Sequence, residues 1–272
     1  SVGVFKQEFT QDPPVAKIWP VDLEKQQLIH AEVCKMVQMG VLVPSNSGVI
    51  TANLLAVPKK GSSELRIVID LRAVNKITKV QNLILPRLED ILGELTGHSY
   101  CCALDIAEAF WCVTVAEEDR RYFVCHDPLT RRVYQFVRMP MGSRNASQVF
   151  QFLAEKALQP AASSFHVYID GLSGALDSFS EGMSNLEALF KRVEKANLKL
   201  GLKKSRFFSK EITMFGFKLS KIGYTPDPER VKSLVNMGSP KSQKELLSVI
   251  ASFNYFRSAV ESFSRIAAPL YT

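Results

Sequence analysis

Paired short apolar runs constrain the fold of this chain more than any other feature of its sequence. Residues 54–57 and 65–71 flank a basic turn, and residues 165–169 and 172–176 flank an Asp-Gly dipeptide. Two such runs around a short turn predict a β-hairpin. Because helical patterns are interspersed with these hairpins, without a regular strand–helix–strand alternation, the sequence predicts an α+β fold.

Helices are predicted where apolar residues recur every three or four positions. Gly40 ends the first helix, Asp227 can cap a later one, and Ser242 with Glu245 forms a capping box for the last. Gly182 opens a helix where an ordinary helix former would be more favourable. The predicted helical segments are 23–39, 107–113, 146–158, 183–198, 228–237 and 242–263.

The apolar runs and the cysteines exclude several classes of protein. No apolar run approaches the length of a membrane-spanning helix. The five cysteines form no C-x-x-C pair, and the histidines offer no zinc-site spacing. Reduced, mostly buried thiols are typical of intracellular proteins. We therefore expect an intracellular location, with nucleus and cytoplasm both open, and no membrane partner.

The charge of the chain is unevenly distributed. Residues 190–272 contain 16 Lys and Arg against 6 Asp and Glu, whereas residues 1–189 contain 18 against 21. A basic segment beside a slightly acidic body indicates a surface that meets a polyanion such as nucleic acid. A solvated lysine-rich face explains the same pattern, so the charge alone leaves both explanations open.

Two aspartates directly follow apolar runs that are predicted to be strands. Asp105 follows residues 101–104, and Asp170 follows residues 165–169. Two carboxylates brought together at strand ends form a hard-oxygen site suited to Mg²⁺. Each aspartate also has a purely structural explanation. Asp170 fits an Asp-Gly hairpin turn, and Asp105 fits the N-cap of the following helix.

Six segments in order along nearly the whole chain resemble the motifs of one enzyme family. They are residues 54–61 with 65–76, residues 104–110, residues 139–150, Tyr168-Ile169-Asp170-Gly171, Phe215-Gly216-Phe217-Lys218-Leu219, and residues 253–257 before 267–271. In that order they resemble the fingers, first catalytic motif, nucleotide-pocket helix, Tyr-x-Asp-Asp turn, primer-grip hairpin and thumb of reverse transcriptases from long-terminal-repeat retroelements.

The resemblance implies a right-hand polymerase fold of fingers, palm and thumb. In this fold an antiparallel palm sheet is backed by helices, which agrees with the α+β prediction. We expect an N-terminal arm with interleaved fingers and palm over residues 1–224, and a thumb over residues 225–272. We expect no RNase H or integrase domain in this chain.

The resemblance also implies the roles of individual residues around Mg²⁺ and a deoxynucleoside triphosphate. Asp105, Asp170 and Ile106 are assigned to the metal site, where the family holds two Mg²⁺ ions. Lys59 and Arg66 match fingers residues that contact the triphosphate, although a solvated hairpin explains them equally well. Phe110 matches the aromatic residue that crowds the sugar 2′-position, or it is a core aromatic. Met141 is assigned to the nucleotide pocket.

Gly171 departs from the family motif, which has a second aspartate at this position. Glycine offers no side-chain ligand, and neither Leu172 nor Ser173 replaces it. The Asp-Gly pair at the same time favours a tight hairpin turn. Losing one anionic ligand from a two-metal site predicts polymerase activity weakened by roughly a hundredfold or more.

Three functions follow from the resemblance and from Gly171. The first is a catalytically defective domain that binds RNA, DNA or an RNA–DNA hybrid. The second is an active RNA-directed DNA polymerase that uses Asp105 and Asp170 with two Mg²⁺ ions. The third is a module for protein interaction or homodimerisation with a vestigial cleft. The residues assigned to nucleic acid are Lys199, Lys203, Lys204, Arg206, Lys218, Tyr255 and Arg257.

Overall fold

The computed structural model describes residues 2–58, 64–159 and 164–271, and it contains helices between antiparallel strand pairs. Helix α4 has the predicted bounds, and α1 ends one residue before the predicted end at 39. The α-helices are α1 (Leu23–Gln38), α2 (Arg72–Ile77), α3 (Leu88–Leu95), α4 (Ala146–Leu158), α5 (Phe179–Lys195), α6 (Pro228–Val235), α7 (Gln243–Asn254) and α8 (Phe263–Ala267).

The strands form several small sheets. In strand order these are β1–β6, β11–β5–β10–β9, β12–β13–β14, β2–β8–β7 and β3–β4. Their bounds are β1 (Val4–Phe5), β2 (Leu42–Pro44), β3 (Asn53–Pro58), β4 (Leu65–Asp70), β5 (Tyr100–Asp105), β6 (Thr114–Val115), β7 (Val124–His126), β8 (Val133–Phe136), β9 (Phe165–Tyr168), β10 (Gly171–Leu176), β11 (Arg206–Ser209), β12 (Glu211–Met214), β13 (Phe217–Ser220) and β14 (Gly223–Pro226).

The first predicted hairpin is present as β3 and β4. These strands pair antiparallel from Asn53 opposite Asp70 to Pro58 opposite Leu65. Arg66 lies opposite Val57 and is exposed. Lys59 lies outside the described residues, so its predicted contact with a triphosphate stays a prediction.

The chain forms two compact units, each built from several stretches of sequence. The first unit comprises Ser1–Pro86, Leu104–Leu172 and Met183–Ser205. The second comprises Arg87–Ala103, Ser173–Gly182 and Arg206–Thr272. The predicted division into fingers with palm over 1–224 and thumb over 225–272 concerns functional subdomains, and it stays a prediction.

The core of the first unit is formed by apolar faces of helices packed on strands. Helix α1 begins at Asp22, whose carboxylate accepts a hydrogen bond from the Lys25 amide, as expected of an N-cap. Its buried residues are Ile29, Val33 and Met36, and the helix contacts β2, β3 and β4. The spacing of these three residues is that of one helix face, which explains why the helix was predictable from the sequence.

The core of the second unit includes an aromatic cluster. The Phe217 ring lies 5.2 Å from that of Phe256 and 6.0 Å from that of Tyr255. Asp227 caps α6 and Ser242 caps α7 through side-chain hydrogen bonds to backbone amides, as their sequences predict. In residues 2–58, 64–159 and 164–271, no helix has the length and apolar character needed to cross a bilayer.

The predicted helix over 107–113 is wrong. The segment contains only a short 3₁₀ turn, Ala109–Cys112. Glu108 precedes it with a left-handed backbone, φ 53°, and the Ala107 amide donates to the Lys199 carbonyl at 2.8 Å. Because a left-handed residue does not fit into a right-handed α-helix, Glu108 interrupts the predicted helix near its start.

Gly182 has a packing role that the sequence did not reveal. A Cβ built on it would lie 2.5 Å from Phe208 Cε1 and 2.9 Å from Leu176 Cδ1. The Phe208 ring is itself held between Tyr100 and Phe179, at centroid distances of 5.9 and 4.7 Å. Because this ring has little room to move, position 182 has no space for a side chain. This packing requirement outweighs the low helix propensity of glycine.

We expect Gly182→Ala to destabilise the protein by about 1–3 kcal/mol through overpacking, against a helix-propensity gain of about 1 kcal/mol. Gly93 in α3 is the matched control because a Cβ added to it would meet nothing within 4 Å. Gly93→Ala is expected to stabilise by about 0.5–1 kcal/mol. Urea unfolding measures the free energy of unfolding of both variants. Equal changes in the two variants contradict a packing role for Gly182.

Candidate nucleotide-binding and catalytic site

A cavity of about 450 Å³ in the first unit contains both predicted catalytic aspartates. This volume lies within the range of small-molecule sites, roughly 300–1,000 Å³. Its lining combines residues that the sequence analysis assigned to metal or nucleotide binding with two lysines that it assigned to nucleic acid. The lining includes Asp105, Ile106, Phe110, Met141, Asp170, Gly201, Lys203 and Lys204.

Asp105 ends strand β5 and is fixed by the segment that precedes β11. Its backbone amide donates to Ser205 Oγ at 3.2 Å, and its carbonyl accepts from the Gly201 amide at 2.8 Å. A Cβ on Gly201 would lie 2.6 Å from Asp105 Oδ2, so the absence of a side chain leaves room for this carboxylate. Asp105 caps no helix, since Glu108 occupies the N-cap of the following turn.

Asp170 lies in the turn between β9 and β10, but the turn differs from the predicted one. The two turn residues are Ile169 and Asp170, and Gly171 is already the first residue of β10. The prediction of an Asp170-Gly171 turn is therefore wrong by one residue. The Asp170 carbonyl accepts from the Ile106 amide at 2.9 Å, which places the turn against the end of β5.

A glutamine that sequence reasoning missed holds this turn. Gln151 of α4 is 1% exposed, and its Oε1 accepts from the Ile169 amide at 2.6 Å. Its Nε2 donates to the Val167 carbonyl at 2.7 Å. Ile169 has φ 54°, which is strained for a β-branched residue. The only sequence signal for this contact is a polar residue next to the apolar face of a predicted helix.

Gly171 does not need to be glycine for the backbone. Its φ lies outside the left-handed range, unlike that of Gly142 or Gly216. A Cβ at this position would lie 3.7 Å from the Tyr168 carbonyl oxygen and 3.8 Å from that of Leu104, which are ordinary contacts. A side chain can therefore be placed at position 171 without backbone strain. It would lie next to Leu104, the residue that precedes Asp105.

The donor set fits one Mg²⁺ ion better than two. Asp105 and Asp170 supply two carboxylates, and Mg²⁺ is commonly held by one or two carboxylates together with substrate phosphates. The Lys204 ammonium lies 3.6 Å from Asp105 Oδ1. Within the described part of the chain, no group of three or more His, Cys, Asp or Glu side chains is arranged to hold a metal ion. A second ion lacks the ligand that a carboxylate at position 171 would supply.

The residues predicted for the nucleotide differ in where they lie. Phe110 is half-buried in the cavity wall, with its ring edge-to-face against Phe150 at 5.9 Å. Met141 is exposed and lines the same cavity. Arg66 is on β4 and does not line this cavity.

The residues predicted for nucleic acid are divided between the two units. Lys203 and Lys204 are exposed at the cavity of the first unit, and Lys199 precedes them. Arg206, Lys218, Tyr255 and Arg257 belong to the second unit. Lys218 pairs with Glu211 at 2.7 Å, and Tyr255 Oη donates to the Phe215 carbonyl at 2.6 Å.

The family model of reverse transcriptase (RNA-dependent DNA polymerase) matches residues 57–219, which is more than half of the chain. Together with two carboxylates in one cavity, this match defines the class: the chain belongs to the reverse transcriptase family. Its relatives include the retrovirus-related Pol polyproteins of transposons opus and 297 from Drosophila melanogaster. They are 27% and 29% identical to it, each over 96% of this chain. The domain is thus of the long-terminal-repeat retroelement type.

The chain spans only about a quarter of these curated relatives, 26% of the opus polyprotein and 24% of that of 297. Among solved structures, it is similar to the foamy viral protease–reverse transcriptase in complex with double-stranded DNA. In one such structure the TM-score is 0.84 and the identity 26%, over 97% of this chain and 46% of that chain. The complex with RNA/DNA hybrid gives a TM-score of 0.81 at the same identity, over 97% and 35%. The predicted right-hand polymerase fold is confirmed.

Proposed function

We propose that this chain is a reverse-transcriptase-like domain that binds a primer–template duplex but has lost most or all polymerase activity. The observation that carries the proposal is Gly171. It stands where the family has a second turn aspartate, beside a cavity that otherwise retains Asp105, Asp170 and Phe110. The loss concerns one carboxylate and leaves the fold intact.

The chemistry explains why this one group matters. Asp105 and Asp170 would hold a Mg²⁺ ion, which would supply positive charge at a transferring phosphate. The chain's own residues position these two carboxylates: the Gly201 and Ser205 contacts fix Asp105, and Gln151 fixes the turn of Asp170. With one anionic ligand missing, the loss of even about 2.7 kcal/mol of transition-state stabilisation slows the reaction about a hundredfold.

Duplex binding depends on groups that this loss leaves in place. Lys203 and Lys204 are exposed at the cavity and belong to the basic part of the chain that begins at residue 190. Ammonium groups bind phosphates without reading the sequence, and the binding weakens as salt rises. Similar solved structures hold double-stranded DNA and RNA/DNA hybrid, which supports a duplex as the ligand.

Fluorescence anisotropy with a labelled primer–template at several salt concentrations tests this binding. We expect Lys203→Ala/Lys204→Ala to reduce the slope of log affinity against log salt by about 2, because about 0.9 counterion is released per phosphate contact. The matched control is Lys25→Ala/Lys35→Ala on α1, which removes the same charge away from the cavity.

Two outcomes contradict this part of the proposal. One is no measurable duplex binding by the unmodified chain at low salt. The other is an equal decrease in the slope of log affinity against log salt in the two double variants. That result means that the net charge of the chain, and not Lys203 and Lys204 at the cavity, determines duplex binding.

The second candidate function is an active RNA-directed DNA polymerase. It is favoured by the presence of both Asp105 and Asp170 in one cavity with Phe110 and Met141. In this case the triphosphate supplies the oxygen ligands that position 171 lacks. Primer extension by the unmodified chain separates the two candidates.

A further inference from the structure

A cysteine, a histidine and an aspartate form a hydrogen-bonded chain in the first unit, apart from the cavity. Cys34 and His30 lie one turn apart on α1, with Cys34 Sγ 3.6 Å from His30 Nε2. His30 Nδ1 lies 2.7 Å from Asp127 Oδ2, in the loop between β7 and β8. A nucleophile, a base and a residue that orients the base are thus connected in order.

The aspartate determines which nitrogen of His30 carries the proton. The Asp127 side chain is fully buried, and its oxygens also accept from the Thr130 hydroxyl at 2.6 Å and the Leu129 amide at 3.0 Å. Burial raises the pKa of Asp127, but these hydrogen bonds and that of His30 outweigh burial and hold the pKa below its usual value. Asp127 accepts a hydrogen bond from the N–H at Nδ1 of His30, so the lone pair of Nε2 faces the Cys34 thiol.

Cys34 is also the accessible cysteine of this chain. All five cysteines lie in the described residues, and only Cys34 is exposed. Burial raises the pKa of the thiols of Cys101, Cys102 and Cys112, and it raises the pKa of Cys125 to about 12. The most exposed thiol of the five is therefore the one with a base beside it.

We propose that Cys34 is a reactive site for thiol–disulfide exchange with small-molecule disulfides, with His30 as its general base and Asp127 as the positioning residue. The thiol proton passes to His30 Nε2 as Cys34 Sγ attacks one sulfur of the disulfide. A new S–S bond joins Cys34 to that half, and the original S–S bond breaks. The other half leaves as a thiolate and takes the proton from His30. Cys34, His30 and Asp127 lie outside the cavity that contains Asp105 and Asp170, so this reaction does not require that cavity.

The size of the effect follows from thiol chemistry. An ordinary cysteine is only a few per cent thiolate at pH 7, so a base that removes the proton during attack raises the rate by at most about 10- to 30-fold. A structural tie between α1 and the β7–β8 loop also explains the His30–Asp127 pair, but it predicts no change in thiol reactivity when His30 is replaced.

The experiment measures the reaction of the intact, folded chain at pH 7 with excess aromatic disulfide reagent, whose released thiolate is coloured. We expect one fast thiol, absent in Cys34→Ser, and a rate about tenfold lower in His30→Gln. The matched control is His98→Gln. His98 Nδ1 also pairs with an aspartate, Asp177 at 3.0 Å, but has no cysteine beside it. Mass mapping after treatment with glutathione disulfide is expected to place the mixed disulfide on Cys34.

Two results overturn the proposal. Either His30→Gln reacts at the rate of the unmodified chain, or the fast thiol is a cysteine other than Cys34. Asp127→Asn is expected to slow the reaction as well, in a sample whose circular dichroism matches the unmodified chain. His30 is partly exposed, so His30→Gln keeps the fold and decides the proposal by itself if Asp127→Asn does not fold.

Discussion

A Gly171→Asp variant is expected to extend a DNA primer on an RNA template at least about 100-fold faster than the unmodified chain. The substitution returns a carboxylate to the position where the family motif has its second turn aspartate. The added ligand completes a set of three carboxylates with Asp105 and Asp170, the set that the family resemblance implies for a pair of Mg²⁺ ions.

The backbone around position 171 is compatible with this change. Gly171 does not have a left-handed φ, and the first side-chain atom meets only the Tyr168 and Leu104 carbonyl oxygens at 3.7 and 3.8 Å. No neighbour has to move to admit it. The turn itself remains Ile169–Asp170, held by Gln151, so the aspartate at 170 keeps its place.

Gly171→Asn is the matched control for this gain. Asparagine has nearly the same shape as aspartate but no negative charge, so we expect the Asn variant to remain close to the unmodified chain. Equal extension by the Asn and Asp variants contradicts the role of the carboxylate. If the Asp variant is silent although it binds duplex, position 171 is not the group whose loss inactivated the site.

In the Gly171→Asp background, Phe110→Ala is expected to reduce the preference for deoxynucleotides over ribonucleotides by about a hundredfold. A pocket that rejects a substrate for one added hydroxyl achieves roughly this factor. The half-buried Phe110 ring lines the cavity that contains Asp105 and Asp170. Its edge-to-face contact with Phe150 keeps the ring in one orientation, so it presents a fixed wall.

Single-nucleotide incorporation with each triphosphate measures the ratio of kcat/KM for the two sugars. Phe110→Tyr preserves the ring and is expected to preserve the ratio. If Phe110→Ala lowers incorporation of both sugars equally, the ring only supports the wall of the cavity. If it leaves both unchanged, Phe110 belongs to the core alone.

Elements with a strong local pattern were predictable from the sequence. The β3–β4 hairpin and α4 were expected because paired apolar runs around a turn and a three-to-four residue period specify them locally. Asp105 was correctly expected at a strand end. The segment 107–113 was not predicted correctly, because Glu108 has a left-handed backbone that no local pattern indicated.

A contact from another part of the chain explains why the turn between β9 and β10 was predicted at the wrong residues. Asp-Gly is the strongest local signal for a two-residue hairpin turn, and it favoured Asp170-Gly171. The buried side chain of Gln151 instead binds the Ile169 amide and moves the turn back by one residue. The Cys34–His30–Asp127 chain was equally hidden, because His30 and Asp127 lie 97 positions apart in the sequence.

Single-turnover primer extension by the unmodified chain measures directly whether this domain has lost polymerase activity. The chain is bound in excess to a labelled DNA primer on an RNA template, and deoxynucleotides are added with Mg²⁺ and, in a second series, with Mn²⁺. Binding is read in the same sample by anisotropy, so a silent reaction cannot come from an unbound primer. We expect bound duplex with extension at least about 100-fold slower than that of Gly171→Asp. Bound duplex that is extended as fast as by the variant contradicts this expectation.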